Sequence, residues 1–319
     1  MKPPYKITPY ILAKVASISE KLGEIKAARL HRPPTELRKR NRIRTIHSSL
    51  VIEGNMLTFD QVTALLEKKR VIAPLKDITE VKNAIRVYEN IGLFDPFSIE
   101  SLCEAHQILM DGLVENAGRL RNKSVGIMKG KQLAHVAPSG TLVKSLLNDL
   151  FGYLENDDEI LLVKSCVFHY EFEFIHPFLD GNGRMGRLWQ SVILMKYNPV
   201  FEYLPVESLI KENQEEYYRI LAVADRQGES TIFVEFMLRI VEESLEELLQ
   251  SQNVTLTGRD RIALFKDYIA DASFTRKDYL RYFKELSTAT ASRDLKEAVD
   301  SNLLRKEGEK SLTRYTYII

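Results

Sequence analysis

Apolar residues recur at helical spacing along most of the 319-residue chain, and this periodicity restricts the fold more than any other feature. In the middle of the chain, Leu162, Cys166, Tyr170 and Phe174 follow one another at every fourth residue. Patterns of this kind predict helices over residues 35–53, 58–70, 78–91, 98–114, 141–155, 159–174, 182–197, 206–226 and 230–250. The sequence therefore predicts a mainly α fold, built as a helical bundle.

Two stretches depart from the helical spacing. Residues 124–136 read SVGIMKGKQLAHV and alternate around the glycine at position 130, which predicts a short β-hairpin. Residues 251–258 are polar and rich in turn-forming residues, which predicts a linker. We expect this linker to separate the helical body from a second unit.

The residues beyond the linker have a different pattern. Helices are predicted over 259–271, from Thr275 and from Ser287. A strand, a turn and a second strand rich in Tyr, Thr and Ile follow at the end of the chain. Three helices and a two-stranded wing predict a small winged helix-turn-helix domain.

The chain as a whole is nearly neutral, with 45 basic and 44 acidic residues. Its net charge of +1 gives no reason to expect a nucleic acid or a membrane surface as a partner. No stretch approaches the roughly 18 consecutive apolar residues that predict a membrane helix. Cys103 and Cys166 are its only cysteines, and both lie in apolar helical contexts. This favours free thiols in a reducing compartment and a cytoplasmic location.

Residues 176–187, HPFLDGNGRMGR, form the most informative motif in the chain. Gly181 and Gly183 stand on either side of Asn182, directly before an apolar helical segment. Glycines let backbone N–H groups converge at a helix N-terminus, which also carries a positive partial charge. The motif therefore predicts a pocket for an anion.

Charged side chains around this pocket predict that the anion is a phosphate chain. Arg184 and Arg187 are three residues apart and share one face of the first helical turn. Two cations at this position oppose the helix dipole unless a polyanion lies between them. Asp180 offers the kind of carboxylate oxygen that holds Mg²⁺ together with phosphates. His176 can exchange a proton near neutral pH, which suits it to accept the proton of an attacking hydroxyl group.

The motif resembles the signature of Fic (Fido) domains, H-x-F-x-[D/E]-G-N-G-R-x-x-R, and matches it without departure. The resemblance implies transfer of AMP from ATP to a Ser, Thr or Tyr hydroxyl of a target protein, with release of pyrophosphate. It implies that His176 is the general base and that Asp180 is the ligand of Mg²⁺. It also implies that the residues in contact with ATP are Gly181, Asn182, Gly183, Arg184, Met185, Gly186 and Arg187.

Regions outside the motif fit the same resemblance. The hairpin at 124–136 looks like the flap of the family, which holds a segment of the target protein by strand addition. Tyr217 and Tyr218 resemble the aromatic residues on the adenine side of the nucleotide in relatives, and Tyr218 is the one assigned to ATP. The resemblance divides the chain into an N-terminal helical region at 1–95, a Fic catalytic domain at 96–250 and the winged helix-turn-helix domain at 255–319.

Ser49 and Glu53 lie in the segment SLVIEG. This segment is similar to the inhibitory motif [S/T]-x-x-x-E-[G/N] that some Fic proteins carry N-terminal to the catalytic domain. Glu53 falls at the end of a predicted helix, where a carboxylate meets the negative end of the helix dipole, so a cationic partner is expected. We hypothesise that Glu53 pairs with Arg187 and prevents this arginine from orienting the γ-phosphate of ATP.

Several alternatives remain open at the level of the sequence. One is a Fic enzyme that uses another nucleotide, such as CDP-choline or UTP, because the motif contacts phosphates rather than bases. Another is an enzyme that removes AMP from a modified target. A third is a DNA-binding regulator with a Fic sensor domain, in which residues 255–319 contact DNA through a helix from Ser287 to Ser301. This tail has 13 basic and 10 acidic residues, a small excess for phosphate binding. A second copy of the chain is also a candidate partner.

Overall fold

The computed structural model describes residues 2–28, 33–123, 126–129, 132–251, 256–269, 272–284, 286–308 and 313–318. In these residues the helices are α1 (Pro9–Ala27), α2 (Thr35–Ile52), α3 (Phe59–Leu66), α4 (Leu75–Glu89), α5 (Ile99–Leu109), α6 (Val143–Asn156), α7 (Leu161–Ile175), α8 (Asn182–Tyr197), α9 (Val206–Glu212), α10 (Gln214–Gln227), α11 (Thr231–Gln250), α12 (Gly258–Ile269), α13 (Arg276–Tyr282) and α14 (Thr288–Asp300). The strands are β1 (Gly126–Lys129), β2 (Gln132–Val136), β3 (Leu304–Glu307) and β4 (Arg314–Tyr317). The prediction of a mainly α fold is confirmed. None of the helices in the described ranges is both long enough and apolar enough to cross a membrane.

The first helix, α1, is absent from the helices predicted by apolar spacing, which begin at residue 35. Thr8 caps α1 by accepting a hydrogen bond from the N–H of Ile11, and Pro9 occupies the first helical position. Its buried face consists of Ile11, Ile18 and Ile25, seven residues apart, and the helix packs against α11. The prediction is wrong here because only one residue in seven is fully buried, which leaves a weak apolar pattern.

The single helix predicted over 206–226 is divided at Asn213. This residue separates the end of α9 from the start of α10. Its side-chain amide donates a hydrogen bond to the carbonyl of Leu209, and local bonds of this kind compete with regular helix geometry. The bend lets α9 pack against α2 while α10 packs against α11.

The pair formed by α7 and α8 lies at the centre of the helical body, and α2, α5, α6 and α11 pack against one or the other of these two helices. Trp189 of α8 is fully buried and donates its indole N–H to the carbonyl of Pro96. Buried hydrophobic residues from Ile11 to Leu248 form one continuous cluster. This core crosses the boundary predicted between residues 95 and 96, so the N-terminal helices share their packing with the motif-bearing helices. The domain boundaries stay predictions.

Strands β1 and β2 lie in the hairpin predicted over 124–136. They pair antiparallel, from Gly126 opposite Val136 to Lys129 opposite Gln132. Positions 124, 125, 130 and 131 of the predicted hairpin lie outside the described residues. Among the described strands, β1 and β2 pair only with each other. Each strand therefore keeps one edge that can accept a further strand.

The C-terminal unit contains α12, α13 and α14 followed by the antiparallel pair β3 and β4, in the order predicted from the sequence. It has its own hydrophobic core, which includes the buried Phe265, Phe274, Tyr279 and Leu295. Its assignment as a winged helix-turn-helix domain stays a prediction.

One carboxylate joins the C-terminal unit to α2. Asp260 of α12 is 3% exposed, and its Oδ1 accepts hydrogen bonds from the N–H of Thr35 at 2.8 Å and from the hydroxyl of Thr35 at 2.6 Å. The N-cap residue of α2, Pro34, makes no side-chain capping bond, so Asp260 supplies the missing acceptor. Oδ2 of Asp260 accepts bonds from the N–H and hydroxyl of Thr257. Asp260 therefore satisfies the N-termini of two helices.

Candidate active site

The candidate active site is the turn between α7 and α8. At its start, His176 adopts a left-handed conformation with φ 50° and ψ 62°, and at its end Gly181 has φ 84°. A β-carbon at Gly181 would lie 2.7 Å from Sδ of Met110, so glycine meets both the conformational and the spatial requirement. The left-handed conformation costs a residue other than glycine roughly 1–2 kcal/mol. Contacts from the surrounding chain must therefore hold His176 in place.

Asn182 holds the turn closed from its inner side. Its side-chain oxygen accepts a hydrogen bond from the N–H of Phe178 at 2.8 Å, and its side-chain amide donates to the carbonyl of Phe178 at 2.9 Å. Asn182 is 2% exposed. Its side chain therefore stabilises the turn, and its contact with ATP stays a prediction.

Asp180, the predicted Mg²⁺ ligand, lies at the exposed side of the turn. Its Oδ1 accepts hydrogen bonds from the N–H of Gly181 at 2.6 Å and from Nη2 of Arg184 at 3.2 Å, and 58% of its side chain is exposed. The described residues contain no cluster of three or more side chains suited to a metal ion. One exposed carboxylate nevertheless fits Mg²⁺, which is commonly held by one or two carboxylates and completes its shell with water and phosphate oxygens.

Arg184, the first of the two predicted phosphate-binding arginines, is buried beside the turn. Besides Asp180 it contacts Glu80, with 3.4 Å between Nη1 and Oε1. Its Nε is buried and has no hydrogen-bond partner among the described residues. Arg184 therefore has a donor that its protein neighbours leave unsatisfied, next to the predicted anion pocket.

Arg187, the second of these arginines, joins α8 to the predicted inhibitory segment. Its Nε donates to the hydroxyl of Ser49 at 3.2 Å, and its Nη2 donates to the carbonyl of Ser49 at 3.0 Å and to Oε1 of Glu53 at 2.8 Å. Burial lowers the pKa of Arg187, but the charges and hydrogen bond of Glu53, Tyr217 and Glu173 together outweigh this effect and hold the pKa above its usual value. The structure contains the ion pair expected from the sequence, and its inhibitory effect stays a prediction.

The carboxylate of Glu53 also lies over Gly183. A β-carbon at Gly183 would lie 2.5 Å from Oε1 of Glu53 and 3.3 Å from Nη1 of Arg187. The missing side chain thus lets a carboxylate approach the first turn of α8, where backbone N–H groups and the helix dipole favour an anion. The pocket predicted from the sequence is lined by an anionic group of the chain itself.

Three residues that the resemblance places near the nucleotide are packed against other parts of the protein. Met185 and Tyr217 are at most 1% exposed. A β-carbon at Gly186 would lie 2.6 Å from Oε1 of Glu173, which belongs to α7. The contacts of Met185 and Gly186 with ATP stay predictions, and the missing side chain of Gly186 allows α7 and α8 to approach closely. The contact of Tyr218 with the adenine side stays a prediction.

His106 of α5 supports the turn and was not among the predicted site residues. Its Nδ1 accepts the N–H of Gly118 at 2.8 Å, which assigns the proton to Nε2, 3.0 Å from the carbonyl of Asp180. Its ring stacks on Phe178 with 3.7 Å between the centroids. Burial lowers the pKa of His106 to about 4, so the imidazole is neutral near pH 7. A single histidine on an apolar helix face carries no sequence signal for this role.

Arg121 contacts the other end of the turn and was likewise not predicted. It is 3% exposed, and its guanidinium donates to four backbone carbonyl groups at 2.6–2.9 Å. These carbonyls belong to Ile175, His176, Lys123 and Pro138. The only signal in the sequence was a basic residue just before the predicted hairpin.

Glu173 adds a second carboxylate near Arg187. It lies in the last turn of α7, and its buried Oε1 has no hydrogen-bond partner among the described residues. Burial raises the pKa of Glu173 to about 7, while Arg187 opposes the shift and Glu53 adds to it. The guanidinium of Arg187 therefore pairs with Glu53 and also opposes the shift in the pKa of Glu173.

Comparison with known proteins gives the same family along the whole chain. The model of the Fic/DOC family matches residues 96–194. The crystal structure of a Fic family protein from Desulfovibrio desulfuricans is 41% identical, has a TM-score of 0.77, and the match covers 100% of this chain and 98% of that chain. The similarity therefore includes the N-terminal helices and the C-terminal unit as well as the motif.

Two curated relatives are also similar in sequence. Protein adenylyltransferase Fic of Nematostella vectensis is 28% identical over 263 residues, covering 79% of this chain and 58% of that protein. Protein adenylyltransferase fic-1 of Caenorhabditis elegans is 30% identical over 238 residues, covering 68% of this chain and 44% of that protein. The chain therefore spans about half the length of the curated relatives that it matches.

Proposed function

The chain belongs to the Fic family, and from this premise we propose that it transfers AMP from ATP to a Ser, Thr or Tyr hydroxyl of a target protein. The names of the curated relatives, protein adenylyltransferases, support this activity. The complete match of residues 176–187 to the family signature supports the same reaction.

The observation that carries this proposal is the anionic group held at the N-terminus of α8. Glu53 presents a carboxylate over Gly183 and against Arg187. Groups that stabilise a carboxylate in this way offer the same donors to phosphate oxygens once the carboxylate leaves. We therefore assign the backbone N–H groups around Gly183, together with Arg184 and Arg187, to the phosphates of ATP.

His176 serves as the general base in the proposed reaction. The hydroxyl oxygen of the target forms a bond to the α-phosphorus, the bond from this phosphorus to the bridging oxygen of the β-phosphate breaks, and pyrophosphate leaves. The imidazole of His176 accepts the hydroxyl proton. Asp180 would hold Mg²⁺, which supplies charge neutralisation at the phosphates when bound. The chain's own contribution is mainly to position the reacting groups.

The hairpin β1–β2 is the proposed docking site of the target segment. Each of its strands keeps one edge without a partner strand in the described part of the chain. A target segment that adds to this edge is held by main-chain hydrogen bonds, which depend little on its side chains. This mode of binding fits an enzyme that modifies a hydroxyl on an extended segment.

Glu53 is the proposed brake on this reaction. Its carboxylate engages Arg187, the arginine that would otherwise orient the γ-phosphate. ATP that binds without this arginine adopts a pose in which the α-phosphorus is not presented to the hydroxyl. Release of Glu53 from Arg187 is therefore the activating step.

The test is incorporation of label from α-labelled ATP in the presence of Mg²⁺, into the protein itself and into host lysate. Glu53→Gly should raise incorporation above the wild type, and addition of His176→Ala should abolish it. Glu67→Gly is the matched control, because Glu67 also follows the last residue of a helix and pairs with Lys39 and Lys69 at the surface. Equal labelling of the Glu53 and Glu67 variants would contradict the proposed role of Glu53 as a brake. A lack of labelling in every variant would contradict the proposed AMP transfer.

The same assay separates the alternative reactions of a Fic enzyme. Mass spectrometry of the labelled protein distinguishes a gain of AMP from a gain of UMP or phosphocholine when ATP, UTP or CDP-choline is supplied. Incubation of a target that already carries AMP distinguishes removal from addition. A gain of AMP with ATP alone would support the proposed reaction.

For the C-terminal unit we propose a winged helix-turn-helix domain that contacts DNA. Arg276, Lys277 and Arg281 are exposed on α13, and Arg293 and Lys296 are exposed on α14 beside the acidic Glu297 and Asp300, so the basic excess lies on α13. Binding through phosphates falls steeply as salt is added. The full-length protein should shift labelled DNA at low salt, and a variant with Arg293→Ala and Lys296→Ala should bind more weakly. No shift at low salt would overturn this assignment.

A further inference from the structure

We propose that Arg121 is a positioning residue that fixes His176 relative to the target segment held at the hairpin. The proposal rests on the AMP transfer described above and adds a residue outside the signature motif to it. Arg121 lies between α5 and β1, 55 residues before His176, and the two are brought together only by the fold.

The guanidinium of Arg121 joins three segments of the chain. Its Nε donates to the carbonyl of His176 at 2.6 Å, and its Nη2 donates to the carbonyls of Ile175 at 2.9 Å and Pro138 at 2.8 Å. Its Nη1 donates to the carbonyl of Lys123 at 2.6 Å. Lys123 precedes the hairpin and Pro138 follows it, so one side chain holds both ends of the hairpin and the start of the active-site turn.

The contacts at the end of α7 explain why a cation is needed there. Ile175 is the last residue of the helix and His176 its C-cap, so their carbonyls lie at the negative end of the helix dipole. The backbone N–H of Arg121 also donates to the carbonyl of Pro177 at 2.9 Å. Arg121 therefore contacts the carbonyls of three consecutive residues, from Ile175 to Pro177. His176 is thereby held in the left-handed conformation that sets the direction of its imidazole.

The described contacts of Arg121 lie on the histidine and hairpin side of the site and not on the first turn of α8. The phosphates are assigned to that first turn, whereas the attacking hydroxyl is assigned to the hairpin. Arg121 therefore sets the distance between base and hydroxyl without contacting the nucleotide. Its loss should impair the chemical step and leave ATP binding intact.

The variant that tests this role is Arg121→Lys in a chain that also carries Glu53→Gly. Lysine keeps the charge, but one ammonium group cannot span carbonyls from three segments as the planar guanidinium does. Arg119→Lys is the matched control, since Arg119 lies two residues away on the same segment and is exposed. Self-labelling from α-labelled ATP gives kcat and the KM for ATP, and nucleotide binding is measured separately by calorimetry.

We expect Arg121→Lys to lower kcat by about 100-fold, the order of loss that a displacement of about 1 Å can cause, with the Kd for ATP unchanged. Arg119→Lys should match its parent. Equal kcat for the two variants would overturn the proposal, and so would a parallel loss of ATP binding and transfer, which is the result of a purely structural role. Inactivity of the Glu53→Gly parent itself would instead count against the proposed function.

Hydrogen exchange gives a readout that does not depend on catalysis. In the same parent, Arg121→Lys should speed amide exchange in peptides covering residues 172–180, because the carbonyls at the end of α7 lose their shared donor. Peptides from the second half of α8 should exchange as in the parent, and Arg119→Lys should change neither region. Unchanged exchange over 172–180 in Arg121→Lys would overturn the positioning role whether or not AMP is transferred.

Discussion

Glu53 and Arg187 form an ion pair of 2.8 Å in which the arginine side chain is 1% exposed and the glutamate side chain is 30% exposed. A buried guanidinium without a compensating anion is strongly unfavourable. Glu53 is therefore released most easily when another anion takes its place. The pair compensates the charge of the buried guanidinium, and in the proposed function the same pair is the brake.

Ser49→Ala should produce a partly released enzyme. The hydroxyl of Ser49 accepts a hydrogen bond from Nε of Arg187 at 3.2 Å, while the backbone carbonyl of Ser49 and the carboxylate of Glu53 hold Nη2. Loss of one of these three contacts weakens the link between α2 and α8. The carboxylate of Glu53, which competes with the ATP phosphates for Arg187 in the proposed function, is still present. Labelling with α-labelled ATP should therefore exceed that of the wild type and stay below that of Glu53→Gly.

Ser48→Ala is the control for this ranking. Ser48 is as buried as Ser49 and lies on the same helix, but its hydroxyl contacts Ser208 at 3.1 Å and not Arg187. It should label like the wild type. If Ser48→Ala and Ser49→Ala raised labelling equally, general loosening of α2 rather than the contact with Arg187 would be the cause.

Glu173→Gln should change how stability depends on pH. Burial raises the pKa of Glu173 in the folded protein to about 7, above the usual 4.5, so the folded state binds an extra proton between these values. Its contribution to stability is fully present below pH 4.5 and is lost as the pH rises through about 7. The Tm of Glu173→Gln relative to the wild type should therefore rise between pH 5 and pH 8.

The exposed residue Glu115 gives the control for the pH series. Glu115→Gln should follow the wild type at every pH. A difference in Tm between Glu173→Gln and the wild type that stays constant, or falls, from pH 5 to pH 8 would contradict the raised pKa of Glu173. The carboxylate of Glu53 contributes to the raised pKa of Glu173. The same series measured on Glu53→Gly should therefore show a lower pKa for Glu173.

The residues of the active-site turn could be predicted because the turn needs its special residues at consecutive positions. Gly181 must adopt a positive φ beside Met110, and Gly183 must leave room for an anion, so both requirements appear directly in the sequence. Arg187 was named as the partner of Glu53 through the resemblance to the inhibitory motif, whereas the need of Glu53 for a cation follows from its place at a helix C-terminus. Local chemistry of this kind can be recognised without knowing the fold.

The supporting residues could not be predicted because their partners are backbone groups far away in sequence. Arg121 bonds to carbonyls, which every residue possesses, and His106 bonds to the N–H of Gly118 and the carbonyl of Asp180. Neither arrangement requires a particular partner residue, so no spacing or pairing indicates it. For the same reason the sequence does not predict the contact between Thr35 and Asp260, which links α2 to a helix more than 200 residues away.

The last prediction concerns that contact, because Asp260 caps two helices and Asp278 caps one. Asp260 accepts hydrogen bonds from Thr35 of α2 and from Thr257 before α12, whereas Asp278 forms an equivalent capping box with Thr275 alone. A lost cap costs about 1 kcal/mol, so Asp260→Ala should lower the free energy of unfolding by about 2 kcal/mol and Asp278→Ala by about 1 kcal/mol. Hydrogen exchange should also speed up in the first turn of α2 for Asp260→Ala only. If both variants left exchange in α2 unchanged, the bond from Thr35 to Asp260 would not stabilise the helix that ends next to Glu53, and the two units would fold without support from each other at this point.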